Sequence, residues 1–189
     1  MSYPPNLAPV PPMAATVSGG ARAAGLTVGA STTLMGLMAG LFWGFDISVM
    51  PGLADSDDLT FVTAMQNINA AIENVLFGAV FVGAFVLPAI ATVLLFSTAR
   101  RAAAAWTLVA VACYLVTLAL TMGVEVPLND RLAAAGDPSR ITDLAAVRAD
   151  FEGLWVGVNV ARTLTCTAAV VCLSRALVLY GRKNPLARG

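Results

Sequence analysis

The stretch MQNINAAIENVLFGAVFVGAF, residues 65–85, joins two halves of opposite character. The second half is nearly all apolar and suits a lipid bilayer. The first half carries Gln66, Asn67, Asn69, Glu73 and Asn74. Gln66, Asn69 and Glu73 stand at i, i+3 and i+7, a single stripe on a helix. A membrane-spanning helix that starts with amides and a carboxylate on one face presents that face to something polar.

The rest of the chain supports a membrane reading. It has 189 residues, of which 58% are hydrophobic and 12% charged, with mean hydropathy +0.80. A soluble domain carries about twice that charge. Formal net charge is zero, so the chain lacks the electrostatic footprint of a nucleic-acid binder. His is absent, which removes the commonest ligand for catalytic zinc, copper or haem. Cys113, Cys166 and Cys172 all fall in apolar segments without paired spacing. They read as membrane-helix residues rather than a disulfide or metal set.

Four runs are long enough to cross a bilayer core of about 30 Å. They cover about Ala24–Val49, Phe61–Phe96, Ala102–Val124 and Leu154–Tyr180. The second is too long for one crossing and is expected to project polar turns beyond the lipid, with a kink at Pro88. The expected fold is all-α: an integral membrane four-helix bundle with a short extracytoplasmic helix between spans three and four, where Asp137 or Ser139 can cap. Residues 1–22 read as a disordered Pro-rich cytoplasmic tail, 23–181 as the bundle and 182–189 as a basic cytoplasmic tail. Arg22, Arg100, Arg101, Arg182, Lys183 and Arg188 fall on one side, so the positive-inside rule predicts a multi-pass protein of the cell membrane with both termini cytoplasmic. Gly36, Gly40 and Gly44 share one face of span one. That small-xxx-small pattern serves either packing within the bundle or a homodimer seam.

Polar groups from all four spans reach the same outer level: Asp46; Gln66, Asn69 and Glu73; Glu125 and Asn129; Trp155, Asn159 and Arg162. Arg162 lies eight residues past Leu154, about 12 Å along a helix. Leaving it unpaired there costs at least about 2.5 kcal/mol. Glu73 is at matching depth to pair with it, and Asp46 and Glu125 are the other candidates. Structural glue between helices is the plain alternative. Convergence of so many groups favours a shared pocket for a lipophilic small molecule.

Three segments, MQNINAAIEN (65–74), EVPLNDRLA (125–133) and WVGVNVART (155–163), resemble in order and spacing the anthrone oxygenase-like family of small four-helix membrane proteins. The resemblance covers about residues 25–180, and its motif positions fall on Asn69, Pro127, Asn129, Trp155, Asn159 and Arg162. It implies oxidation of an anthrone to an anthraquinone by dioxygen with no cofactor. On that reading the catalytic set is Glu73, Arg162, Glu125 and Asp46. Glu73 is the first candidate for the base, with Asp46 or Glu125 in reserve. Arg162, Asn159 and Asn69 hold the developing oxyanion. Gln66, Asn69, Asn129, Trp155 and Asn159 bind the substrate, Trp155 by stacking on its rings. No metal is expected, although Asp46, Glu73 and Glu125 form a hard-ion alternative. The other readings are a non-catalytic binder or scaffold and a cyclase or isomerase of a natural product.

Overall fold

The computed structural model describes residues 19–182, and among these the chain is helical with no strand. The parts of the expected tails at 1–18 and 183–189 lie outside the described residues. Four segments are long and apolar enough to cross a membrane: Gly19–Ala54, Val75–Ser97, Arg101–Ala134 and Leu144–Gly181. The protein is a multi-pass membrane protein. Its apolar surface is what lipid requires, with Leu26, Leu37, Trp43 and Val93 all more than half exposed.

The first span is α1 (Gly19–Gly44), a π-helical turn at Phe45–Val49, and α2 (Met50–Ala54). Next come α3 (Asp58–Ile72) and α4 (Val75–Ser97). The third span is α5 (Arg101–Leu120), a second π-helical turn at Thr121–Glu125, and α6 (Val126–Ala134). The last is α7 (Leu144–Gly181). Around the bundle α1 neighbours α4 and α7, and α5 neighbours the same two. The space between them fills in layers. Ala24, Val28, Ala91, Leu95 and Ala104 pack one end. Met38, Phe81, Tyr114, Cys166 and Leu173 fill the middle. Met50, Phe61, Met65, Leu128 and Trp155 close the other end.

The long helix expected over 61–96 is two helices. Glu73 leaves the helical region at φ −75°, ψ 61° and ends α3. Asn74 then caps α4, accepting from the Phe77 N–H at 3.0 Å and donating to the Ala71 carbonyl at 2.9 Å. A cap of this kind satisfies donors that a helix start otherwise leaves open. The 15-residue α3, about 22 Å long, therefore does not extend α4. It packs against α6 and α7 instead. Arg148 fastens its start: it donates to Glu152, Asp58 and the carbonyls of Ser56 and Ala54, and it lies 4.4 Å above the Phe61 ring. Between the last two spans lies the helical turn Pro138–Arg140, followed by the first turns of α7 under an Asp143 cap.

Gly36, Gly40 and Gly44 meet nothing within 4 Å where a Cβ would stand. They therefore seat no other helix among the described residues. Gly25 does: its Cβ would fall 2.6 Å from the Tyr180 ring.

Candidate functional site

Two carboxylates each stand in a π-helical turn: Asp46 in Phe45–Val49 and Glu125 in Thr121–Glu125. Such turns add a residue to the local repeat, so the side chains point differently from those of a straight α-helix. Pro follows each turn closely, Pro51 and Pro127 standing in the first turn of α2 and α6. Neither can donate a backbone hydrogen bond.

Glu125 is 2% exposed. Its Oε1 lies 3.0 Å from Nη2 of Arg162, whose side chain is 8% exposed. The two are an ion pair by distance, but the angle is poor. Among the described residues, neither Glu125 oxygen nor Arg162 Nε has a hydrogen-bond partner. Arg162 Nη2 does donate to Asn159 Oδ1 at 2.8 Å. The guanidinium sits 4.3 Å over the Phe42 ring and 5.7 Å from that of Trp155, a favourable site for a desolvated cation. Asn159 donates to the Phe42 carbonyl at 2.9 Å and to Asp46 Oδ1 at 2.5 Å. Thr163 donates to Asp46 Oδ2 at 2.6 Å.

Of these groups Glu125, Arg162, Asn159, Phe42 and Trp155 border a cavity of about 100 Å³. Asn69, Glu73, Glu125, Asn129, Trp155, Asn159 and Arg162 all line it, with Phe42, Phe45 and Phe77 supplying aromatic walls. The Asn69 Nδ2 is buried and has no hydrogen-bond partner among the described residues. Trp155 is only 4% exposed, with its Nε1 on Asn129 Oδ1 at 3.2 Å and its ring 5.5 Å from Phe45.

The partner of Arg162 is Glu125, not Glu73. Glu73 is exposed where α3 ends, on the rim of the cavity. Gln66 does not line the cavity: it donates to the carbonyls of Leu132 and Gly136 at 2.8 and 3.0 Å and ties α3 to the end of α6. Asp46 stands behind Asn159, outside the lining. Asp46, Glu73 and Glu125 do not converge into a metal set, and no group of three such ligands occurs among the described residues. Phe42, Phe45 and Thr163 were not singled out from the sequence. Thr163 had a readable signal, one helical turn after Asn159 (i, i+4). The aromatics sit in FWGFD (42–46), directly before Asp46.

The anthrone oxygenase family matches residues 74–172, more than half of the chain. The protein belongs to the anthrone oxygenase family. The matched part of this family member carries Glu125, Asn129, Trp155, Asn159 and Arg162, while Asp46, Asn69 and Glu73 precede it. No curated protein and no solved structure matches the chain.

Proposed function

We propose that this family member is a membrane-embedded enzyme that oxidises a flat, lipophilic aromatic ketone of the anthrone type with dioxygen. Glu125 is the base, and Arg162 and Asn69 hold the anion. One observation carries this reading. Inside an aromatic-walled cavity, two carboxylate oxygens, a guanidinium Nε and an amide Nδ2 are buried without hydrogen-bond partners. Buried polar groups are rarely left so, and together they offer acceptors for a C–H or O–H and donors for an oxyanion. Asn159, whose amide is fully engaged within the protein, is left to orient Arg162.

The chemistry balances. Glu125 removes one proton from the methylene opposite the ketone, and the resulting anion is held by Arg162 and Asn69. The anion gives one electron to dioxygen. The radical at the former methylene carbon and superoxide combine into a C–O bond, and the peroxide takes the proton back from Glu125. Removal of the second methylene proton breaks the O–O bond. The carbon becomes a carbonyl, and hydroxide leaves and is protonated to water. One dioxygen thus yields one new ketone and one water.

Small-molecule sites usually exceed about 300 Å³. A tricyclic substrate therefore enters with an outward movement at the α3–α4 break, where the helix is interrupted at Glu73 and Asn74. We place both termini in the cytoplasm and the cavity in the outer leaflet, because the arginine-rich helix ends lie at the opposite end.

Oxygen uptake and quinone absorbance of detergent-purified protein with emodin anthrone test this reading. Turnover above the spontaneous rate is expected, with a loss of at least about 100-fold in Glu125→Gln and Arg162→Gln. Folded wild-type protein that adds nothing to the spontaneous rate overturns it.

A further inference from the structure

We propose that Asp46 is a positioning residue: it sets the Arg162 guanidinium through the Asn159 amide and takes no proton in the reaction. The proposal rests on the catalytic reading of the Glu125–Arg162 site. Asp46 stands outside the cavity lining, behind Asn159. Both its oxygens are taken, one by Asn159 at 2.5 Å and one by Thr163 at 2.6 Å.

The geometry fixes one orientation of Asn159. A primary amide has two N–H donors and one acceptor oxygen. Here both donors are spent on Asp46 and the Phe42 carbonyl, which leaves Oδ1 to receive Arg162 Nη2. Were the amide turned over, its NH₂ would face the guanidinium and its oxygen would face Asp46 and a carbonyl, three unfavourable contacts at once. Asp46 therefore decides which end of Asn159 meets the arginine. That contact in turn aims the Arg162 Nε, which has no partner of its own. The π-helical turn Phe45–Val49 delivers the carboxylate to Asn159 one turn after Phe42, whose carbonyl completes the clamp. The chain of contact runs Thr163 and Asp46, Asn159, Arg162, Glu125.

Two substitutions separate positioning from proton transfer. Asp46→Asn keeps an oxygen for Asn159, and the Thr163 hydroxyl can turn to accept from the new amide. Asp46→Ala removes the acceptor. The expected kcat falls at least about tenfold in Asp46→Ala, with KM within about twofold, and stays within about threefold in Asp46→Asn. Trp155 emission supplies a readout that needs no turnover, since Arg162 lies 5.7 Å from its ring. With Trp43 and Trp106 replaced by Phe, Asp46→Ala is expected to shift that emission as Arg162→Gln does, and Asp46→Asn to leave it unchanged. If Asp46→Ala does not fold, Asp46→Ser takes its place. Asp46→Asn as inactive as Glu125→Gln, yet with wild-type emission, would make Asp46 a proton acceptor and overturn the proposal. Wild-type emission in the alanine or serine variant overturns it as well. Absence of any turnover by the wild type would instead defeat the oxidation reading, while the emission pair still decides whether Asp46 positions Arg162.

Discussion

Glu125 and Arg162 are each more than nine-tenths buried as side chains, so either alone is an unpaired charge out of water. Removing one partner of such a pair typically costs about 3–5 kcal/mol, whereas replacing both is often close to neutral. Thermal unfolding in detergent is therefore expected to show a loss for each of Arg162→Gln and Glu125→Gln, and partial recovery in the double variant. Equal, additive losses would mean that the two do not interact. The need for this pair was readable from the depth of Arg162 in its span. Its partner was not. Counting 3.6 residues per turn from Gln66 through Asn69 brings Glu73 onto the same stripe, but the chain leaves the helix at Glu73 itself. Glu125 is aimed by a π-helical turn, which the same counting cannot see.

Asp57, Asn74 and Asp143 cap α3, α4 and α7 with their side chains, and these caps fix where those three helices start. Asn74→Ala is expected to lower stability by about 1 kcal/mol, because α4 loses its cap and α3 its tie to it. Asp57 caps α3 outside the membrane, and the backbone N–H of Thr60 donating to it lowers its pKa below the ordinary carboxylate range. A lowered folded pKa contributes stability above the unfolded value, about 3.9, and loses it as pH falls through the folded value. The start of α3 is thus expected to loosen below about pH 4, read by hydrogen exchange. Asp57→Asn should remove that pH dependence. The four spans were evident from apolar length. The break between α3 and α4 was not, because Asn74 is equally compatible with a polar helix face and with a cap. Gly25 and Gly36 look alike in sequence but differ in surroundings. Gly25→Ala forces the Tyr180 ring aside, together with its hydroxyl bond to the Ala21 carbonyl and the Arg100 guanidinium stacked on it. It should cost about 1–3 kcal/mol, while Gly36→Ala should leave the monomer's stability unchanged.

The molecule as a whole is electrically lopsided. All eleven acidic residues lie between Asp46 and Glu152, in the half that holds the cavity. Arg22, Arg100, Arg101, Arg175 and Arg182 gather where α1 and α5 begin and α4 and α7 end, with no acid among them. Arg100 closes that end by donating to the Tyr180 carbonyl. This asymmetry is plain from sequence, since it needs only residue order. The side-chain network of the site needs three-dimensional contact between residues as far apart as Asp46 and Thr163. With the three cysteines removed, Ser139→Cys in intact cells is expected to react with a membrane-impermeant maleimide, and Ser97→Cys to react only after lysis. The reverse pattern would place the cavity in the cytoplasmic leaflet.

The proposed proton abstraction by Glu125 can be measured apart from oxidation. Under strict anaerobiosis in D₂O, protein and anthrone are mixed and deuterium entry at the methylene carbon is followed by mass spectrometry. Exchange faster than the buffer rate is predicted for the wild type and for Asp46→Asn, with none above buffer for Glu125→Gln. Undiminished exchange in Glu125→Gln, or no protein-dependent exchange in the wild type, would contradict the assignment of Glu125 as the base.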